Sequence, residues 1–287
     1  MNLIRTIALF YFQKKYQIYA LFSLNWAAQK AYIRFISPFA KSKKSLVVPL
    51  FQNTERLTRS FKNLKINGYK WNGTNGKTAL LVHGFEGDSG SLSSYVEPLL
   101  AHNYTVLAFD APAHGLSEGT QCEIYDYADL IQNVLEEYPN TDVVIAHSFG
   151  CACSAFAFER LGKLDLPIKF VMIAAAVEAG SALKRFWKAL EITPDLQKKM
   201  TEIVSAREGH SIEWYSIRRI LNETKLPLST LLIHDRDDEI TPYIDAEKLA
   251  NDNLPNVTFI ATNGLGHNQI YKEESVQKMV FDFIFEV

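Results

Sequence analysis

Short apolar runs alternate with longer segments of helical periodicity over most of this chain. Runs of five or six apolar residues bounded by turn formers are typical of buried strands. Strands that alternate with helices predict a mostly parallel sheet covered by helices on both faces. The predicted strands are 78–82, 105–109, 143–145, 168–173, 229–233 and 257–261.

Two segments interrupt this alternation. Leu64–Trp71 is predicted to open an early antiparallel hairpin, with a turn near Asn72 and Gly73. The segment from about 177 to 226 separates two predicted strands and has helical spacing instead of strand patterning. Its apolar residues at one helical face are Leu183, Phe186, Trp187 and Leu190. A short helical lid is therefore predicted over about 177–226.

The N-terminal 60 residues are predicted to form a basic, aromatic-rich helical arm. The first 54 residues contain eight Lys or Arg and no Asp or Glu, whereas the remainder contains 22 basic and 32 acidic residues. One interpretation is a helical extension packed on the acidic body of the same protein. The alternative is a basic amphipathic element that rests on an anionic membrane surface. The packed extension is favoured because it is the commoner use of such helices.

Length and composition suit one large α/β catalytic domain, predicted over 61–287, since the chain has 287 residues and is 47% hydrophobic. The uncharged stretch 16–29 is shorter than the roughly 20 apolar residues that a membrane-spanning helix needs. Lys14 and Lys15 interrupt the apolar region that a signal peptide requires. Three cysteines at no framework spacing indicate free thiols in a reducing compartment, so a cytoplasmic location is expected.

The candidate chemistry begins at Ala146-His147-Ser148-Phe149-Gly150, directly after the predicted strand 143–145. A serine at the apex of a strand-to-helix turn, with small residues two positions away on each side, forms a nucleophile elbow. Glycine usually occupies both flanking positions, and Ala146 is the smallest replacement that carries a Cβ. Ser148 is therefore the candidate nucleophile.

A serine hydroxyl needs a base, a carboxylate that orients the base, and N–H donors for the oxyanion. Candidate carboxylates follow the strand 229–233 as Asp235, Asp237 and Asp238. A candidate base, His267, follows the strand 257–261 in a loop with glycines at 264 and 266. The chain order Ser, Asp, His is the order used by one hydrolase fold.

From about Leu64 to Val287 the chain resembles the α/β-hydrolase superfamily, most closely its small bacterial serine hydrolases with an N-terminal helical arm. The segment 234–242 resembles the family pattern H-G-x-x-D-x-x-V-P, and this register selects Asp238 as the acid. His83-Gly84 resembles the start of the family's oxyanion loop, which implies that the N–H groups of Phe85 and Phe149 hold the oxyanion. The segment 110–117 resembles the family turn D-x-P-x-H-G-x-S, to which we assign a structural role.

The resemblance implies an α/β-hydrolase fold and two-step acyl transfer, with Ser148, Asp238 and His267 as the triad. The leading hypothesis is hydrolysis of a small or medium carboxylic ester through an acyl-enzyme on Ser148. Thioesterase, lysophospholipase and acyltransferase activities use the same triad and stay open. A catalytically silent ligand-binding module is the non-enzymatic alternative, and the sequence leaves the oligomeric state undetermined.

Other function classes find no support in the sequence. Neither C-x-x-C nor H-E-x-x-H occurs, and the acidic cluster at 235–239 lacks the spacing of a calcium loop, so no metal site is expected. The absence of a P-loop and of G-x-G-x-x-G argues against a nucleotide cofactor. Because the catalytic body has no basic patch with interleaved aromatic residues, nucleic-acid binding is not indicated.

Overall fold

The computed structural model describes residues 3–52, 54–164 and 166–286. These residues divide into two compact units. The larger unit comprises Pro38–Val177 and Ile217–Val287, and the smaller unit joins the chain up to Ser37 to Glu178–Ser216. The smaller unit therefore combines most of the predicted arm with most of the predicted insertion.

Within the described part of the larger unit, eight strands form a single sheet in the order β1-β2-β4-β3-β5-β6-β7-β8. Since β2 pairs antiparallel with both β1 and β4 while the remaining pairs are parallel, β2 alone runs against the others. This arrangement confirms the predicted mostly parallel sheet. The strands are β1 Glu55–Phe61, β2 Leu64–Trp71, β3 Thr78–Val82, β4 Thr105–Phe109, β5 Thr141–His147, β6 Ile168–Ile173, β7 Leu228–Asp235 and β8 Val257–Thr262.

The central strands are apolar along their whole length because helices cover both faces of a parallel sheet. All five residues of β3 are buried, and Val143, Ile145, Val171 and Ile233 belong to the main core cluster. The helices, labelled in chain order, are α1 Leu3–Phe22, α2 Leu24–Phe35, α3 Lys44–Val47, α4 Val96–Ala101, α5 Ile124–Glu137, α6 Phe149–Leu161, α7 Ala179–Ala189, α8 Pro194–Glu208, α9 Ile217–Glu223, α10 Tyr243–Asn251, α11 Gly266–Gln269 and α12 Glu274–Phe285.

The hairpin at the start of the sheet differs from the prediction. Its two strands are β1 and β2, and its turn lies at Lys62 and Asn63, not near Asn72 and Gly73. Both turn residues have positive φ, 46° and 63°, as the two central residues of a type I′ hairpin turn do. The sheet begins with β1 at Glu55, within the predicted arm of residues 1–60.

The smaller unit is helical and joins α1 and α2 to α7 and α8. Helix α2 begins after Ser23, whose hydroxyl accepts a hydrogen bond from the Trp26 N–H, and it buries Ala27, Ala28 and Ala31. These residues share one helical face, and their small side chains permit close packing of a second helix. Phe35 and Phe186 meet edge to face with ring centroids 5.3 Å apart.

The segment that shares this unit with the arm is electrically balanced. Residues 178–216 contain six Lys or Arg and six Asp or Glu. Helix α2 thus packs against α8 of the same protein, on a segment without net charge, and the expectation of an acidic surface beneath it stays a prediction. Helices α7, α8 and α9 all lie between β6 and β7, within the predicted 177–226, and the smaller unit takes the part of this segment up to Ser216. None of the described helices is both long and apolar enough to cross a membrane.

Candidate active site

The candidate site lies where the strand order of the sheet reverses. Strand β3 pairs with β4 on one side and with β5 on the other, and β5 pairs with β6, so the chain continues from β3 and from β5 toward opposite edges of the sheet. In open α/β sheets, such a reversal forms a crevice at the carboxyl ends of the strands. The loop after β3 contains Gly84 and Phe85, and the turn after β5 contains Ser148.

Ser148 adopts a backbone conformation that few residues other than glycine adopt. Its φ is +54° and its ψ is −119°, and it connects β5 directly to α6. Backbone strain of this kind persists only where surrounding contacts hold it. The Ser148 N–H donates to the Ile173 carbonyl at 3.0 Å, and the Ser148 carbonyl accepts from Cys151 and Ala176. The elbow predicted from the sequence is thus present, with Ser148 largely buried at its apex.

Two glycines let the backbone segments around the elbow approach closely. A Cβ added to Gly150 would lie 2.6 Å from the His83 carbonyl oxygen and 2.7 Å from that of Val82. A Cβ added to Gly84 would lie 3.0 Å from the Ser148 Cβ. These distances are too short for ordinary contact, so the elbow and the loop after β3 come together only because both positions lack a side chain.

The two predicted oxyanion donors flank this contact. Phe149 is the first residue of α6, where a backbone N–H has no partner within the helix. Neither its N–H nor that of Phe85 donates a hydrogen bond to any residue that the structure describes. The two phenyl rings meet edge to face with centroids 5.6 Å apart, which brings the loop after β3 beside the start of α6.

Asp238 and His267 are brought together at the ends of β7 and β8. The His267 Nδ1 lies 2.8 Å from the Asp238 Oδ2, and the Asp238 side chain is inaccessible to solvent. An N–H at Nδ1 donates to this carboxylate and leaves Nε2 as the proton acceptor. The other carboxylate oxygen, Oδ1, accepts the backbone N–H groups of Ile240 and Thr241.

A threonine before a proline is typical of a helix N-terminus, so the sequence predicts that Thr241 caps the next helix, yet the residue belongs to this group. Its hydroxyl donates to the Asp238 Oδ2 at 2.7 Å and lies 3.2 Å from the His267 Nδ1. The N-cap of α10 is Pro242 instead. The sequence shows that a threonine lies three residues after Asp238. It does not show that the threonine hydroxyl faces the carboxylate, because this depends on the turn that follows β7.

Competing effects act on the ionisation of Asp238. Burial alone would raise the pKa of Asp238, whereas the hydrogen bonds and charge of His267 and the bonds from Thr241 lower it, to about 2 overall. The carboxylate is therefore ionised at neutral pH. A fixed negative charge at this position stabilises a positively charged imidazole at His267.

Asp235 holds the loop that precedes His267. Its carboxylate is fully buried and accepts the N–H groups of Leu265 and Gly266 at 3.1 and 3.0 Å and the Thr262 hydroxyl at 2.7 Å. Burial raises the pKa of Asp235, but these hydrogen bonds outweigh it and lower the pKa below its ordinary value. Glycine is usual at this position in the family pattern, so the sequence marked Asp235 as unusual without indicating what it contacts.

Asp237 precedes Asp238 in the chain, and in the sequence only the register of the family pattern distinguishes the two. Its side chain is exposed and accepts the Gly264 N–H at 2.8 Å, away from the imidazole. Of the three aspartates, Asp238 alone is hydrogen-bonded to His267 among the described residues. Asp235 and Asp237 both bind the loop backbone.

His147 supports His267 from the side of the elbow. Its Nε2–H donates to the His267 carbonyl at 3.0 Å, and its ring lies 4.8 Å from the His267 ring and 4.5 Å from that of Tyr271, between centroids. Burial, with a smaller contribution from the nearby His267, lowers the pKa of His147 to about 3. A neutral His147 therefore connects the turn that carries Ser148 to the helix that carries His267.

Two more buried histidines fix the backbone around the site. His83 Nδ1–H donates to the Gly84 carbonyl, and its Nε2 accepts the Ala111 N–H at 3.0 Å. His234 Nε2–H donates to the Thr241 carbonyl at 2.9 Å. Burial lowers the pKa of both imidazoles, so each is neutral and keeps the tautomer that its bonds require.

Asp110 has the structural role that the sequence predicted for the turn after β4. Its buried carboxylate accepts the Ser89 N–H and hydroxyl at 2.8 and 2.6 Å and the Leu116 N–H at 2.8 Å. These bonds join the segment after the loop of β3 to the turn after β4. Asp110 therefore fixes the backbone of the two segments beside the elbow.

His147, which precedes Ser148 in the chain, bonds the His267 carbonyl, while the Ser148 Oγ makes no hydrogen bond to His267 among the described contacts. Catalytic hydrogen bonds are often long in the absence of substrate and shorten in the complex. No cluster of three metal-ligating side chains occurs in the described part of the chain. The arrangement comprises a strained serine, two N–H groups beside it, and an Asp–His pair whose Nε2 can accept a proton.

Comparison with known proteins identifies the family of the chain. A family model described as the alpha/beta hydrolase family matches residues 79–271. The chain belongs to this family of hydrolases. The match begins in β3 and ends just after α11, so it contains every residue of the candidate site described above.

A curated relative is similar over a smaller part of the chain. The uncharacterized hydrolase YugF of Bacillus subtilis strain 168 is 33% identical over 104 residues, which make up 35% of this chain and 37% of that protein. The matched region thus spans little more than a third of the relative.

Solved structures confirm the fold. The Pyrococcus furiosus esterase Pf2001 has a TM-score of 0.59 at 22% identity, covering 88% of this chain and 97% of that chain. Est1E from Butyrivibrio proteoclasticus, with ferulic acid bound, has a TM-score of 0.61 at 19% identity, with coverages of 80% and 98%. Mouse alpha/beta hydrolase domain-containing protein 10 has a TM-score of 0.59 at 17% identity, with coverages of 82% and 97%.

Proposed function

We propose that this alpha/beta hydrolase is a serine hydrolase that cleaves a carboxylic ester of small or medium acyl length through an acyl-enzyme on Ser148. The observation that carries the proposal is the strained turn of Ser148, whose φ of +54° presents the serine beside the loop after β3. The Asp238–His267 pair at 2.8 Å supplies the base that a serine nucleophile needs.

The first half-reaction acylates the serine. The Ser148 Oγ attacks the ester carbonyl carbon, and the hydroxyl proton passes to the His267 Nε2. The carbonyl oxygen becomes an oxyanion that accepts hydrogen bonds from the N–H groups of Phe85 and Phe149, where each such donor contributes about 3 kcal/mol. The acyl–oxygen bond then breaks, and His267 returns its proton to the departing alcohol.

The second half-reaction uses water. His267 takes a proton from a water molecule that attacks the acyl carbon, and the proton then passes to the Ser148 Oγ as the acid is released. Asp238, ionised because its pKa is about 2, keeps the His267 Nδ1 protonated and stabilises the imidazolium in both steps. The atoms balance without a metal or an organic cofactor.

The choice of an ester among acyl substrates is supported by likeness to the Pyrococcus furiosus esterase and to a protein crystallised with ferulic acid. Thioesterase, lysophospholipase and acyltransferase activities use the same groups and differ in leaving group or acceptor. A catalytically silent module would retain the fold without reacting at Ser148.

A fluorophosphonate probe tests the nucleophile directly. We expect one covalent adduct on Ser148 by mass spectrometry, no adduct in Ser148→Ala, and normal labelling in Ser154→Ala, whose buried hydroxyl donates to the Gly150 carbonyl. No labelling of the folded wild type would contradict the serine mechanism and favour the silent module.

A substrate series tests the acyl group and the leaving group. Hydrolysis of p-nitrophenyl acetate, butyrate, octanoate and laurate is expected to peak at one of the first three and to disappear in Ser148→Ala. Hydrolysis of an acyl-coenzyme A and of lysophosphatidylcholine is measured in parallel. If kcat/KM for acyl-coenzyme A or for lysophosphatidylcholine exceeds kcat/KM for the best p-nitrophenyl ester, that substrate class replaces the ester in the proposal, and the triad is retained.

A further inference from the structure

The N-terminal helices expose an apolar surface that their own unit does not cover. Seven of the twelve large hydrophobic side chains that are exposed in the described chain lie within residues 10–33. Leu21 and Phe22 are the most exposed of them, at 83% and 81%. The surface, named here the arm face, consists of Phe10, Tyr11, Ile18, Leu21, Phe22 and Trp26.

Five of the six side chains of the arm face lie on one side of α1, and the sixth, Trp26 of α2, packs against Tyr19 with ring centroids 4.0 Å apart. Phe10, Ile18 and Leu21 recur at intervals that place them on one helical stripe, and Phe22 lies four residues after Ile18. The opposite side of the arm packs within its unit, where Tyr16 and Ala27 are buried. Packing inside the smaller unit thus occupies one side of these helices and leaves the arm face outward.

Cations lie beside this apolar surface. Lys14 falls between Phe10 and Ile18 on the stripe, and its Nζ lies 5.7 Å from the centroid of the Phe10 ring. The Lys15 Nζ lies 5.3 Å from the centroid of the Tyr11 ring. No carboxylate in the described chain forms an ion pair with Lys14, Lys15 or Lys30.

The charge of the smaller unit restricts what can cover the arm face. Residues 1–37 and 178–216 together contain 11 Lys or Arg and six Asp or Glu, so the unit is basic. Residues 1–37 of this unit contain no acidic residue, and therefore a second copy placed face to face would bring like charges together. Exposed aromatic and aliphatic side chains mixed with lysines match the interface of an anionic lipid bilayer instead.

We propose that the arm face is a membrane-docking surface on which the protein rests peripherally on anionic lipid. Helix α1 has 20 residues and thus a length of about 30 Å, enough to lie in the plane of the interface. The apolar side chains enter the boundary between headgroups and acyl chains, while Lys14, Lys15 and Lys30 contact lipid phosphates. Because α2 packs on the inserted helices 178–216, docking also fixes that segment at the membrane.

Vesicle binding by the full-length protein tests the proposal. Flotation with phosphatidylcholine vesicles that contain phosphatidylglycerol is expected to carry the protein, with at least tenfold weaker binding to phosphatidylcholine alone and loss of binding at high salt. Phe10→Ser/Leu21→Ser/Phe22→Ser should weaken binding at least tenfold. The matched control, Val47→Ser/Leu166→Ser/Ile244→Ser, removes exposed apolar side chains from the larger unit and should bind like the wild type.

Two further measurements separate docking from other occupants. Brominated lipids should quench the tryptophan fluorescence that Trp26 contributes, which is the part lost in Trp26→Phe. The double variant Lys14→Glu/Lys15→Glu should lose vesicle binding while its melting temperature stays that of the wild type. Absence of wild-type binding to anionic vesicles overturns the proposal. A dimer by light scattering that the arm-face variant converts to a monomer, without vesicle binding, overturns it in favour of a second copy.

Discussion

The two sides of the candidate site are held by different physical means. On the nucleophile side, Ser148 keeps its strained φ of +54° because backbone atoms of Val82, His83 and Ile173 surround the turn. On the acid–base side, the loops that carry Asp238 and His267 are held mainly by hydrogen bonds from buried side chains. The first arrangement depends on close packing, and the second depends on charge and hydrogen bonding.

This difference predicts different responses to substitution. A packed turn tolerates no added volume, since backbone atoms have no rotamer into which to move. A hydrogen-bonded loop tolerates a change of volume better than the loss of an acceptor, because a buried donor without a partner is costly. The four predictions below separate these two cases, beginning with the largest expected effect.

Replacing Asp238 by Asn should produce the largest loss on the acid–base side. The amide cannot hold the His267 Nδ1 protonated by charge, so the wrong tautomer is stabilised and kcat should fall about 10³- to 10⁴-fold. The measurement is p-nitrophenyl ester hydrolysis with protein of verified thermal stability. Asp237→Asn is the matched control and should retain activity within about threefold, since the Asp237 carboxylate bonds only the loop backbone. An equal loss in both variants would contradict Asp238 as the acid.

Much of the nucleophile side could be predicted from the sequence, because packing restricts residue type at particular positions. The strand runs, the elbow at Ser148 and the small residue at Ala146 are all local patterns, and the structure has them where the sequence placed them. The predicted hairpin turn failed because Lys62 and Asn63 lack the Gly that usually marks positive φ, whereas Asn72 and Gly73 carry that signal elsewhere.

Less of the acid–base side could be predicted, because its bonds join residues distant in the chain. Asp235 and Leu265 are 30 residues apart, and His147 and His267 are 120 apart. Composition shows that an acidic cluster follows β7, and only the register of the family pattern distinguishes Asp238 from its neighbours. The association of the arm with 178–216 was missed for the same reason, since no local pattern specifies which helix α2 contacts.

Adding a methyl group at Gly150 tests the packed side. The new Cβ would lie 2.6 and 2.7 Å from two backbone carbonyl oxygens, so the elbow must shift. Gly150→Ala should lower kcat about 100-fold, as expected for a displacement near 1 Å, and reduce stability by about 1 to 3 kcal/mol. Gly180→Ala serves as the control, because its Cβ meets nothing closer than 3.8 Å. Wild-type activity in Gly150→Ala would show that packing does not hold the serine.

Replacing Asp235 tests the hydrogen-bonded side without touching the reacting atoms. Asp235→Asn keeps the volume but converts one acceptor oxygen to a donor that opposes the Leu265 N–H, whereas the Thr262 hydroxyl can rotate and accept from it. Loss of one charge-assisted bond, about 1.5 kcal/mol, should lower kcat about tenfold while KM stays the same. Thr262→Val should show a smaller fall in kcat of the same kind. A change in KM alone would identify a role in binding instead of in positioning His267.

Lowering the pH should destabilise the folded protein, because the buried histidines around the site are neutral and the unfolded chain binds protons at these residues more readily. The pKa of His147 is lowered from its ordinary value of 6.5 to about 3 by burial, so the unfolded chain binds the proton more readily between these values. Stability is therefore retained above about pH 6.5 and is lost as the pH falls toward 3, by about 1.4 kcal/mol per pH unit for each such histidine. Melting temperatures from pH 7 to 5 should fall in the wild type and fall by a few degrees less in His147→Gln. An identical pH dependence in the variant would show that His147 does not remain neutral in the folded protein. The hydrogen bond from His147 to the His267 carbonyl would then not cause the loss of stability in acid.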